Sequence, residues 1–173
     1  AETYAKLWEP LRESNHDMVR LILANGADVN NPTSVGITPL GYTFQSGDLT
    51  GAALLMEYGA RYDKDDRPGG HTLLEWALAN RQAPMIELLI NQGADVNQPI
   101  RTPINKEWGK AFSENGSLSY YLTKDYGVTP VMVAAGSHQM EAAQMLMKAG
   151  ASRSKYTRRN RTYPVTFAIN SKN

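Results

Sequence analysis

The sequence predicts an all-α solenoid of about four to five stacked helix-turn-helix units with β-hairpin-like turns and one long inserted arm. Three observations carry that expectation. Glycines suited to end a helix recur at Gly26, Gly59, Gly93 and Gly150, with spacings of 33, 34 and 57. A block of three apolar residues precedes each glycine at one fixed distance: Leu21-Ile22-Leu23, Leu54-Leu55-Met56, Leu88-Leu89-Ile90 and Met145-Leu146-Met147. The unit openings also align, as Gly36-Ile37-Thr38-Pro39-Leu40, Gly70-His71-Thr72-Leu73-Leu74 and Gly127-Val128-Thr129-Pro130-Val131, with a weaker one at Asn160 to Pro164.

The clearest unit runs from Gly70 to Asn97. Thr72 suits an N-cap, since its hydroxyl can accept from a free backbone N–H. Leu73, Leu74, Ala77 and Leu78 follow at helical spacing. Asn80, Arg81 and Gln82 break the stripe, and Pro84 fits the opening of a second helix. Met85, Ile86, Leu88, Leu89 and Ile90 supply its apolar face, and Gly93 suits a left-handed end. Helices of roughly 8 to 10 residues are too short to persist alone. A single pair cannot cover both of its apolar faces, so neighbouring units must do so.

Thr-Pro-Leu openings and Gly-Ala-Asp-Val-Asn endings at a period of 33 resemble the ankyrin repeat. That resemblance spans nearly the whole chain apart from the insertion. It implies a non-catalytic protein-binding scaffold with a concave surface of turns and first helices. The family pattern places His after Thr-Pro-Leu, where it ties neighbouring turns. Here those positions are Gly41, Glu75 and Met132, so the units are degenerate.

One domain over residues 1–173 is expected, with units at about 1–34, 35–68, 69–97 and 127–158, a partial unit at 159–173 and an insertion at 98–126. In the first unit, Tyr4, Leu7, Trp8 and Leu11 form a stripe that Pro10 should kink or shorten. Glu2, Lys6, Glu9, Arg12 and Glu13 supply the polar face of an end cap. The second unit has helices at 36–44 and 49–58. After it, Asp63, Asp65 and Asp66 lack the spacing of a calcium loop and read as a solvated turn. Residues 127–154 form a full unit crowded with Met132, Met140, Met145 and Met147, whose helical spacing favours the core. A last helix is expected through Val165, Phe167, Ala168 and Ile169.

The insertion is the main departure from the repeat. A helix-ending glycine reaches the next opening glycine in 10 or 11 positions elsewhere, but Gly93 reaches Gly127 in 34. Insertions in repeat proteins gather on one face, often the binding face. Asn115-Gly116 signals a two-residue hairpin. Pairing outward from it puts Leu118, Tyr120 and Leu122 on one face, toward the stack. Trp108, Lys110, Phe112 and Tyr121 fall on the other, free to anchor a partner. Tyr126 closes the segment. The partner-binding candidates are Trp108, Lys110, Phe112, Tyr120, Tyr121, Tyr126, Arg158 and Arg159.

Composition bounds the rest. With 173 residues, 42% of them hydrophobic, the chain can bury an elongated core. Net charge is +1, and no apolar run approaches the length of a membrane span. The absence of cysteine removes disulfides, thiol nucleophiles and cysteine-ligated zinc, and it suits an oxidising compartment. A start at Ala1 fits an exported or periplasmic protein, and equally a trimmed cytoplasmic one. The three His lie near turns without a second His at ligand spacing, and no nucleophile elbow or phosphate loop is present. No metal, cofactor or catalytic residue is expected. From residue 151 onward six residues are basic and none is acidic, which suits a solvated hairpin better than a nucleic-acid site. The chain is expected to be monomeric by itself and to bind another protein, such as an enzyme or toxin, through the concave face and the aromatic insertion, as a bacterial inhibitor, immunity or adaptor protein. The alternatives are a targeting module of a larger enzyme and a nucleic-acid-associated regulator.

Overall fold

The structure is a computed structural model that describes residues 2–101, 104, 106–112, 118, 120, 122, 124–158 and 160–166, with only the backbone described at 2–6 and 106. Contacts divide the chain into two units, Ala1–Trp76 and Ala77–Asn173. The described residues are helical or in turns and contain no β-strand.

The first unit holds two packed helix pairs, α1 (Glu2–Arg12) with α2 (His16–Ala24), and α3 (Pro39–Ser46) with α4 (Leu49–Glu57). Helix α1 does not end at Pro10. It runs to Arg12, because Pro10 falls in the last turn and forfeits only one backbone bond. Leu7, Trp8 and Leu11 are buried as expected. Each later helix starts on a side-chain cap: Asn15 for α2, Thr38 for α3 and Asp48 for α4. Asp48 also accepts from His16 Nε2 at 2.9 Å, which joins the second helix of one repeat to that of the next. A 3-10 turn at Pro68–Gly70 packs against α3, and its Pro68 carbonyl accepts from Trp76 Nε1 at 2.6 Å.

Helix α5 (Leu73–Ala79) opens on a reciprocal cap. The Glu75 N–H donates to Thr72 Oγ1, and Glu75 Oε2 accepts from the Thr72 N–H, both at 3.2 Å. Glu75 is buried, and its Oε2 also lies 3.2 Å from His71 Nδ1. Where the family pattern has His, this repeat therefore uses Glu75 for local capping. At Gly41 the substitute comes from the following turn. Asp66 Oδ2 accepts from the Thr38 hydroxyl at 2.6 Å, and a Cβ on residue 41 would stand 2.9 Å from Asp66 Oδ1. The missing side chain makes room for that carboxylate. At Met132 the sulfur accepts from the Thr129 N–H at 3.4 Å.

The second unit contains α6 (Ala83–Asn91), α7 (Lys106–Phe112), α8 (Pro130–Gly136) and α9 (Met140–Lys148), with α9 packed on both α8 and α6. Residues 164–166 are also helical, at the start of the last expected helix; Phe167, Ala168 and Ile169 lie outside the described residues. Met132 is fully buried, whereas Met140 is 59% exposed, so the methionines divide between core and surface.

One backbone feature links the repeats. Ser14, Gly47, Arg81 and His138 all have positive φ, at 54°, 73°, 56° and 61°. Each lies in the turn between the two helices of its repeat, twelve positions before the helix-ending glycine. Only one of the four is glycine, although this conformation favours it. Further on, Asp28, Asp63 and Asp95 each accept from the N–H two residues ahead, at 2.8 to 2.9 Å. Asp63 thus serves a local turn.

Candidate functional site

Part of the insertion is helical where the described residues show it. Residues 106–112 form α7, and 118, 120, 122 and 124 are helical as well. This corrects the hairpin expectation. Trp108 and Phe112 are four residues apart, one helical turn, and their rings meet edge to face at 4.9 Å. Helix formation lets Phe112 bury completely while Trp108 stays half-buried above it. Phe112 therefore faces inward rather than outward, and it can serve a partner only by supporting Trp108. Leu118 and Leu122 pack inward as expected, but Tyr120 is 50% exposed and does not. Tyr121 and the Asn115-Gly116 turn lie outside the described residues.

The segment is pinned at several points. Its start meets the next unit's opening where the Ile100 N–H donates to the Val128 carbonyl at 2.7 Å. The Ile104 N–H donates to the Leu122 carbonyl at 3.1 Å, and Ile100 and Ile104 are buried. Arg81 reaches the insertion from the turn between α5 and α6. Its Nη2 donates to the Phe112 carbonyl at 3.1 Å and its Nη1 to the Ser137 carbonyl at 2.7 Å. Those carbonyls close α7 and α8, where a cation is electrostatically favoured. Gln139 Nε2 completes the join by donating to the Leu78 carbonyl at 2.8 Å.

The exposed candidates gather on two surfaces of this unit. Lys110 and Tyr120 are exposed residues of the insertion, and Trp108 is half-buried. Tyr126, 51% exposed, lies on the following turn, where its carbonyl accepts from the Arg158 N–H at 2.8 Å. Arg158 is exposed, while Arg159 lies outside the described residues. Two residues absent from the sequence expectation join them: Tyr156 and Tyr163 are half-exposed, with rings 5.5 Å apart. The Tyr156–Arg158 backbone runs alongside Gly127, as its closeness to that glycine shows.

A buried carboxylate holds this turn cluster. Asp125 is 1% exposed. Its Oδ1 accepts from the Tyr126 N–H at 2.7 Å, and its Oδ2 accepts from the Asn160 backbone at 3.3 Å and side chain at 3.0 Å. The Thr157 N–H donates to the Thr162 carbonyl and the Thr162 N–H to Thr157 Oγ1, each at 3.0 Å. Asp125 was not singled out from the sequence. Its signal is faint: an acid just ahead of a unit opening, as Asp66 is ahead of Gly70.

Among the described residues no cluster of three His, Asp, Glu or Cys is placed to hold a metal, and no helix is long and apolar enough to cross a membrane. The surface offers aromatic rings, a guanidinium and fixed backbone, which are the components of protein recognition.

The family model described as ankyrin repeats (3 copies) matches residues 11–100. The chain is also similar to two E3 ubiquitin-protein ligases of Arabidopsis thaliana. One is 28% identical over 143 residues, covering 81% of this chain and 28% of the ligase. The other is 28% identical over 155 residues, covering 84% and 30%. An ankyrin repeat protein of Fowlpox virus is 30% identical over 83 residues, covering 48% of this chain and 19% of the viral protein. The chain thus spans under a third of the length of the curated relatives it matches. These relatives are plant and viral, and they lend no support to a bacterial immunity-type origin.

Proposed function

The chain belongs to the ankyrin-repeat family, and on that premise we propose that it is a non-catalytic module that binds one specific partner protein through the insertion and the turn cluster beside it. Trp108, Lys110 and Tyr120 supply contacts from the insertion; Tyr126 and Arg158 supply them from the turn. Tyr121 and Arg159 belong to the same two segments and are included on sequence grounds. The observation that carries the proposal is the grouping of half-exposed Tyr126, Tyr156 and Tyr163 with Arg158 on backbone fixed by Asp125. Tyrosine and arginine are enriched where binding energy concentrates. A turn already held in place loses little freedom on binding.

The test is retention of a protein from source-cell lysate by the wild-type chain and by Tyr126→Ala/Arg158→Ala and Tyr120→Ala variants. Each truncated anchor should weaken binding by about tenfold or more, with the thermal midpoint unchanged because these side chains are exposed. Equal retention by all three chains would reject the surface. Phe112→Ala is the structural control, and it should lower the midpoint itself.

The ligase matches favour a second, finer reading: the chain is the part of a larger ubiquitin ligase that recruits its target. A full-length protein that ubiquitinates the captured partner, and stops when Tyr126 and Arg158 are changed, would support it. An inhibitor would instead depress the partner's own activity on binding.

A further inference from the structure

Helix α9 carries an apolar surface that the turn cluster does not use. It turns Ala142, Ala143 and Leu146 inward. Met140 is nevertheless 59% exposed, and Met145 and Met147 are only half-buried. With α6 these side chains wall an open cleft of about 770 Å³, within the size range of small binding sites. The charges around it are ordered. Glu141 stands in the first turn of α9 and Lys148 in the last, with Glu87 contributed by α6 and Arg153 by the turn beyond.

Acid at the start and base at the end of a helix suit its dipole, so that order alone is ordinary. The exposure of Met140 beside the acid, and the half-burial of Met147 two turns further on, are not accounted for by it. Seven residues at a rise of 1.5 Å place Glu141 and Lys148 about 10 Å apart along the helix, two turns on one face. Methionine walls adapt to an incoming apolar ridge. An amphipathic helix laid in a groove presents such a ridge at i, i+3, i+4 and i+7.

We propose that the α6–α9 cleft docks a short amphipathic helix of another protein. Its apolar stripe would lie on Met140, Ala143 and Met147, which share one face of the helix. A Lys or Arg at one end would meet Glu141, and an Asp or Glu two turns away would meet Lys148. A second copy of this chain fits less well. One face of a nine-residue helix is small beside the roughly 800 Å² per partner of a stable dimer.

The probes are labelled synthetic helical peptides of about four turns, all with the same leucine stripe. One carries Lys at one end and Glu at the other, one carries Lys at both ends, and one has the stripe scrambled. Fluorescence anisotropy with the full chain reads their affinities. The mixed-charge peptide should bind about threefold to tenfold tighter than the all-Lys peptide, and the scrambled one should not bind. Lys148→Glu should reverse the preference toward the all-Lys peptide. Met140→Glu should weaken every peptide about tenfold with no change in thermal midpoint. Absence of binding, or affinities indifferent to these substitutions, would overturn the proposal. So would a dimer in sedimentation that Met140→Glu converts to monomer, since a second copy would then own the cleft.

Discussion

Arg81 holds the end of the inserted helix: its guanidinium donates to the Phe112 carbonyl at 3.1 Å. The same side chain donates to the Ser137 carbonyl at 2.7 Å. One residue therefore joins the insertion to the end of the next repeat's first helix. Arg81→Ala should cost about 1–2 kcal/mol, read as a lower urea midpoint with an unchanged slope. Amide exchange should quicken across residues 106–112. Arg81→Lys should recover only part of the loss, because one ammonium cannot reproduce the two-pronged geometry. Unaltered exchange in α7 would show that Phe112 and its apolar neighbours hold the insertion unaided.

Asp66 provides a pH signature. Burial pushes its carboxyl above the ordinary aspartate range and Asp63 adds to the rise, while the Thr38 hydroxyl opposes it. The folded state then retains a proton that the unfolded chain has lost. The contribution of Asp66 to stability is therefore complete below the unfolded pKa and declines as pH rises through the folded one. Asp66→Asn keeps an oxygen for Thr38 and cannot ionise. Its stability relative to wild type should improve as pH rises from about 4 toward neutrality. Denaturant titrations at several pH values measure this; a relative loss by the Asn variant at neutral pH would mean that the carboxylate is net stabilising.

The left-handed turn positions offer a gain. His138 is exposed and sits at φ 61°, where Gly47 occupies the equivalent position in an earlier repeat. A side chain there costs roughly 1 kcal/mol, part of which glycine returns as greater freedom in the unfolded chain. His138→Gly should raise stability by about 0.5 kcal/mol, and Ser14→Gly should do the same. A lower thermal midpoint would assign the His138 side chain a structural role.

If residues 1–173 form one domain, heat should unfold both units together. Trp8 and Trp76 lie in the first unit and Trp108 in the second. Fluorescence from wild type and from Trp108→Phe should then give coincident transitions with the far-ultraviolet circular dichroism. Separated transitions would divide the chain into two folding units, as repeat proteins with a weak internal interface can.

Much of this fold is legible because its signals are local. Thr38 and Thr72 cap the helices that follow them, and the apolar blocks ahead of Gly59 and Gly93 form second helices. The insertion was harder to read. Asn115-Gly116 is a strong turn signal in isolation, while Trp108 and Phe112 fit either alternate strand positions or one helical turn. What decides between them is the burial of Phe112 and the Arg81 bond from a distant turn, and neither is visible in a short window. Asp66 over Gly41 and Asp125 beneath Tyr126 were missed for the same reason: each bonds across a gap of about thirty residues. Tyr126 and Arg158 were both chosen from sequence, but their adjacency emerges only from the backbone bond between them.

The Ile100 to Val128 bond ties the start of the insertion to the unit opening just past its end, at 2.7 Å. The repeats on either side therefore experience the intervening stretch as a closed excursion that leaves and returns at nearly one point. Closure entropy changes by only about 0.6 kcal/mol when such an excursion doubles in length. Evolution or design can thus exchange its outer portion as a cassette, provided Ile100, Ile104, Phe112 and Leu122 still plug the base. New specificities could then be grafted onto an unaltered helical frame.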